Sequence, residues 1–156
     1  MRFLGNIEAR IDAKGRVFLP ASFRKVLYEA SQNSLMMRKD IFQNCLVLYP
    51  ESEWNKQLDS LRSRLNRWNA KHQMIFRQFV AEVEMVTPDA NGRILIPKRL
   101  RQAVGIGQDV HFIGMDSTIE LWASESLEAP FMEAGDLASA LEDVMKDTPK
   151  PNETEL

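Results

Sequence analysis

Apolar and polar positions along the chain follow two different periods. Short β-prone runs punctuated by turn dipeptides fill residues 6–49 and 80–122, and a helix-spaced stripe lies between them. Lys14-Gly15 and Asn91-Gly92 are turn dipeptides in which glycine supplies a positive φ, so each predicts a hairpin. Incoming strands are expected at about 6–11 and 80–86, outgoing strands at 16–19 and 93–96. Each outgoing strand stops at a proline, Pro20 or Pro97, which cannot donate to a ladder but suits the first turn of a helix. Short helices are therefore expected over 21–29 and 98–104, with Gly105 closing the second. Strands at 110–113 and 119–122 then form a hairpin across Asp116-Ser117, and 35–37 and 46–49 are their counterparts upstream.

Trp54, Leu58, Leu61, Leu65, Trp68, His72, Ile75 and Phe79 recur alternately every four and three residues, the pattern of one helical packing seam. One or two helices are expected there. Their exposed side carries Arg62, Arg64, Arg67, Lys71 and Arg77, which read equally well as a solvated face and as part of a positive surface.

The strand-turn-strand-helix pattern occurs twice. Asp12-Ala13-Lys14-Gly15-Arg16-Val17-Phe18-Leu19-Pro20 aligns with Asp89-Ala90-Asn91-Gly92-Arg93-Ile94-Leu95-Ile96-Pro97 at an offset of 77, and Phe23-Arg24 falls on Leu100-Arg101. Cys45-Leu46-Val47-Leu48-Tyr49 matches Thr118-Ile119-Glu120-Leu121-Trp122 at an offset of 73, so the first copy has four extra residues in its intervening loop. Two copies of a unit too small to bury its own apolar face imply a pseudo-symmetric pair closing one core. The domain plan is a first half at 5–51, linking helices at 52–79, a second half at 80–124 and an acidic segment at 125–156.

At 156 residues and 44% hydrophobic content the chain can bury such a core without staples. One cysteine, Cys45, excludes an internal disulfide and a multi-cysteine zinc site, and two histidines leave metal chemistry short of ligands. No metal or other cofactor is expected. The N-terminus lacks an apolar leader segment, and no apolar run approaches the roughly 20 residues needed to cross a bilayer, so a reducing, cytoplasmic setting away from membranes is expected. The net charge of −2 conceals an asymmetry: residues 1–124 hold 18 Lys+Arg against 13 Asp+Glu, whereas 125–156 hold 2 against 9. The body is basic and the tail acidic, as a nucleic-acid binder with a solubilising tail would be.

Chemistry concentrates at the turns. Asp12 and Asp89 precede their arginines by four residues, where a carboxylate can accept from turn amides or pair with the guanidinium. For Asp12, Gly15, Asp89 and Gly92, turn formation is the larger part of the explanation. A turn does not require Arg16 and Arg93, yet both copies have them, and a planar five-donor fork suits guanine edges and phosphates. Lys14, Arg24 and Lys25, then Lys98, Arg99 and Arg101, add positive charge beside the turns, with Arg10 at the rim. A catalytic reading of Asp12 with Asp89, or of His72 or His111 as a proton shuttle, is weaker. The aspartates sit beside basic groups, His72 lies on the seam, His111 alternates within a strand, and no nucleophile elbow or phosphate loop is present. The chain is read as non-enzymatic.

These residues resemble a known class. Asp-Ala-Lys-Gly-Arg and Asp-Ala-Asn-Gly-Arg, each followed by a hydrophobic stretch to proline and a helix with Phe/Leu-Arg, look like the swapped-hairpin DNA-binding domain of the AbrB/SpoVT class. Two copies in one chain, beginning at Phe3-Leu4-Gly5, are similar to the MraZ family over about residues 1–125. The resemblance implies an α+β fold in which two β-β-α-β-β halves close a double-ψ-like swapped-hairpin barrel, with helices between the halves and at the C-terminus. It also implies a sequence-specific transcriptional regulator, often a repressor, of the division and cell-wall gene cluster and its own promoter. Such proteins bind short direct repeats in double-stranded DNA as ring-like homo-oligomers and associate with the nucleoid, and their DNA-binding arginines fall on Arg16 and Arg93. A non-catalytic oligomeric interaction module of the same barrel class is the alternative.

Leu19-Pro20-Ala21-Ser22-Phe23 stands where the second copy has the more class-like Ile96-Pro97-Lys98-Arg99-Leu100, so unequal contributions from the two copies are expected. The resemblance gives the tail no role. Residues 148–156 are expected to be disordered, and Leu127, Leu137, Leu141 and Val144 to form a short helix packing on a neighbour.

Overall fold

The computed structural model describes residues 1–146. In chain order its elements are β1 (Asn6–Arg10), β2 (Arg16–Phe18), α1 (Ala21–Glu29), β3 (Leu35–Lys39), β4 (Leu46–Pro50), α2 (Glu51–Ser63), α3 (Ala70–Ala81), β5 (Glu84–Val86), β6 (Arg93–Leu95), α4 (Lys98–Ala103), β7 (Asp109–Met115), β8 (Thr118–Ala123) and α5 (Ala134–Met145). Residues 1–126 make one unit and the segment from 127 a second.

The turns at Gly15 and Gly92 reverse the chain as expected, but they do not close simple hairpins. β1 leaves its own half to pair antiparallel with β7, and β5 pairs with β3, so each half's first strand is given to the other. β2 and β6, the strands that follow the turns, pair with each other. Among the described residues only β3 with β4 and β7 with β8 are local hairpins, and the halves join where β4 meets β8. The result is a six-stranded sheet in the order β1-β7-β8-β4-β3-β5 and a separate two-stranded ribbon of β2 and β6. Expected strand 80–86 shortens to β5 because Val80 and Ala81 complete α3.

Side-chain alternation assigns the two faces of the sheet. Leu35 and Met37, Leu46 and Leu48, Val110 and Phe112, and Ile119 and Leu121 face one way and form a single core with Val17 and Ile94 of the ribbon, Phe23 and Leu27 of α1, and Leu100 and Val104. Burying each of these side chains contributes about 1.5–3 kcal/mol. The opposite face presents Arg38 and Tyr49 to the linking helices. Tyr49 meets Trp54 at 5.3 Å between ring centroids, Trp54 stacks on Phe79 at 5.4 Å, and the Arg38 guanidinium lies 4.6 Å above Phe79. Arg38 is only 2% exposed, and its donors are used on the Lys39 and Phe79 carbonyls. The unit is thus layered, with the ribbon, α1 and α4 in front of the sheet and α2 and α3 behind it.

The packing seam does not run unbroken from Trp54 to Phe79. α2 ends at Ser63, and α3 restarts at Asn69, whose side chain accepts from the amides of Lys71 and His72 at 3.0 and 3.1 Å. Trp68 falls in the break and is 95% exposed. In the second unit, Leu137, Leu141 and Val144 are exposed on α5 and Leu127 precedes that helix. The expectation of disorder at 148–156 lies outside the described residues.

Candidate nucleic-acid interface

Both turns are built the same way. Oδ1 of Asp12 accepts from the amides of Lys14 and Arg16, each at 2.9 Å, and Oδ2 accepts from Arg16 Nε at 2.8 Å. Asp89 repeats the arrangement with Asn91 and Arg93 at 2.9, 2.9 and 3.0 Å. The amide of Arg16 and then the rest of this donor set hold the Asp12 carboxyl below its ordinary range, and the amide of Arg93 does the same at Asp89. Gly15 and Gly92 take φ values of +87° and +84°, a region that L side chains rarely adopt. The turns are also tied across the pseudo-symmetry: Leu19 N–H donates to the Gly92 carbonyl at 3.0 Å and Ile96 N–H to the Gly15 carbonyl at 2.8 Å.

Register across the ribbon decides which side chains face out. Arg16 pairs with Leu95, Val17 with Ile94 and Phe18 with Arg93. Val17 and Ile94 are buried, so Arg16, Phe18, Arg93 and Leu95 share the outer face. Each arginine is held to its aspartate through Nε, and among the described residues its terminal amino groups have no hydrogen-bond partner. The two forks are thereby aimed and left with donors to offer. Between them lie Phe18 and Leu95, 58% and 55% exposed. Sequence reasoning missed this pair, although both occupy the same position in the two copies and have outward parity.

The remaining cations divide into two sets. Lys14, Lys25 and Lys98 are exposed at the rim. Arg99 binds Glu84 and the Glu82 carbonyl, both at 3.1 Å, and Arg10 binds Gln108 at 3.2 Å. Arg24 and Arg101 instead turn back onto the opposite copy. Arg24 donates to the Asn91 carbonyl at 3.3 Å and lies across Gly92. Arg101 donates to the Ile96 carbonyl at 3.1 Å and its guanidinium covers Gly15. Each turn is thus buttressed by an arginine from the other half.

The remaining chemistry is quiet. His111 Nδ1 is bonded to Asn6 at 2.8 Å, and His72 Nδ1 accepts from the Asn66 amide at 2.9 Å. Cys45 is buried, which pushes its thiol pKa up and away from reactivity. Among the described residues no group of acidic, histidine or cysteine side chains could hold a metal, and no helix is long and apolar enough to cross a membrane.

Residues 2–78 and 79–142 each match the model of the MraZ protein family, described as antitoxin-like. The chain belongs to the MraZ family. The two MraZ matches begin 77 residues apart, at 2 and 79, the same offset that relates Gly15 to Gly92. The chain is 63% identical over 147 residues to the transcriptional regulator MraZ of Bacteroides thetaiotaomicron, covering 94% of each. It is 60% identical over 156 residues to the MraZ of Bacteroides fragilis, covering 100% of this chain and 99% of that one. At greater distance it is 34% identical over 146 residues to the MraZ of Christiangramia forsetii, covering 93% and 94%.

Proposed function

We propose that this MraZ-family chain is a transcriptional regulator that reads double-stranded DNA with the β2–β6 ribbon. The observation that carries the reading is the pair Arg16 and Arg93, anchored through Nε on one outer face with their terminal amino groups unpartnered. A two-stranded ribbon fits the major groove, where a guanidinium fork matches guanine O6 and N7. Lys14, Lys25 and Arg99 supply phosphate contacts around it, and Arg24 and Arg101, also expected at the DNA, serve by fixing the turns. The exchange of β1 and β5 supports reading the ribbon and sheet as walls of a swapped-hairpin barrel. The relatives are named transcriptional regulators. With the family resemblance, that supports a cytoplasmic, nucleoid-associated repressor of the division and cell-wall cluster and its own promoter, binding direct repeats as a ring-like homo-oligomer without catalysis.

Fluorescence anisotropy on the chain's own upstream DNA tests the reading. Arg16→Ala and Arg93→Ala should each retain the fold and lose about 1–3 kcal/mol of binding per engaged subunit. If both fold and bind like the parent, the ribbon is not the reader, and its exposed Phe18 and Leu95 become a surface for a protein.

A further inference from the structure

Behind the sheet, α2, α3 and their connecting loop form a cleft of about 420 Å3 lined by Arg62, Leu65, Arg67, His72, Phe76 and Arg77. Residues 60–81 carry five Lys or Arg and no Asp or Glu. Around the ribbon four arginines are paired with carboxylates, Arg16 with Asp12, Arg93 with Asp89, Arg99 with Glu84 and Arg10 with Asp109, while Arg24 and Arg101 donate to backbone carbonyls. Arg62, Arg67 and Arg77 have no such carboxylate among the described residues.

The walls are internally fixed. The Asn66 amide donates to His72 Nδ1 at 2.9 Å, the Gln73 side chain donates to the Arg67 carbonyl at 2.6 Å, and Arg62 sits 5.4 Å from the Phe76 ring centroid. Its volume lies in the range of small-molecule sites. The cleft is lined by α2, α3 and their loop and shares no residue with the ribbon.

We propose that the cleft binds a small phosphorylated molecule of the nucleotide class. The Arg67 and Arg77 guanidiniums receive the phosphates, for which their planar forks are suited, and Leu65 and Phe76 provide the apolar wall for the flat base. Binding here is independent of the ribbon, which makes it separable from DNA reading.

Isothermal titration calorimetry of the full chain tests this with adenosine and guanosine triphosphates, inorganic tripolyphosphate, adenosine, and a short duplex lacking the promoter sequence. A triphosphate nucleotide should saturate one site per chain, tripolyphosphate should bind at least about tenfold more weakly, and adenosine should not bind measurably. Arg67→Glu with Arg77→Glu, and the milder Arg67→Gln with Arg77→Gln, should each weaken the nucleotide by at least about tenfold while leaving thermal melting and promoter affinity unchanged. Arg16→Ala should leave nucleotide binding unchanged, so failure of the ribbon reading is distinguishable from failure of the cleft. No saturable nucleotide binding, equal binding of tripolyphosphate, or nucleotide affinity indifferent to both double variants would overturn the proposal. Duplex affinity falling with the double variants would overturn it too, by making the cleft a contact for the DNA backbone.

Discussion

Arg24 of the first half lies so close over Gly92 of the second that a Cβ there would run into its Nη1 and stand 2.8 Å from its Cδ. The reciprocal pair is looser, with the Arg101 guanidinium 3.1 Å from a Cβ on Gly15. Gly92→Ala and Gly15→Ala should both destabilise the fold by about 1–2 kcal/mol through the positive φ. Gly92→Ala should weaken promoter binding further, because Arg24 must also move off its turn. Urea unfolding and anisotropy measure the two effects, and a Gly92→Ala protein as stable and as tight as the parent would contradict the packing.

Salt dependence separates an arginine that touches DNA from one that holds a turn. Arg24→Ala should lower promoter affinity with the slope of log K against log salt unchanged, since no phosphate contact is lost. Lys14→Ala should reduce the slope by about 0.9 for its one phosphate. A slope change of that size for Arg24→Ala would make it a direct contact.

The turn aspartates make stability depend on acid. Their folded pKa values lie below the ordinary 3.8, so their contribution is fully present above that value and is lost as pH falls through the depressed folded values. Thermal melts from about pH 5 down to pH 2 should show this loss, and Asp12→Asn with Asp89→Asn should flatten the curve. An unchanged pH profile in that double variant would mean that other carboxylates govern the acid limb.

One ribbon spans few base pairs, so tight binding needs several subunits on one DNA. Light scattering should report a homo-oligomer, and DNA with two or three in-phase boxes should bind far more tightly than DNA with one or with half-turn insertions. A monomer, or equal affinity for all these duplexes, would remove the repeat-reading mechanism.

The repeat and its turns were legible because turn chemistry is local: Asp, Gly and Arg within five positions specify a loop wherever they occur. Strand pairing was not. Alternation fixes that Ile7 and Phe112 share a face, but not that β1 crosses to β7, since the hairpin alternative has the same parity. The helical seam overran its break because Trp68 keeps the apolar spacing, whereas the Asn69 cap that starts the second helix is a single polar residue. Arg16 and Arg93 were identifiable as candidates from recurrence alone. Arg24 and Arg101 recur too, and only the tertiary structure distinguishes an arginine facing outward from one folded back over a glycine.

The exchange of β1 and β5 has a consequence for how the two copies depend on each other. A cut between α2 and α3 would leave two fragments, each with an orphaned strand and an unfilled sheet edge, so neither is an autonomous folding unit. In a chain with one copy, the same exchange would require a second molecule and would come apart on dilution. Here α2 and α3 tether donor and acceptor, making closure intramolecular and independent of protein concentration. Association between chains is thereby freed from completing the fold.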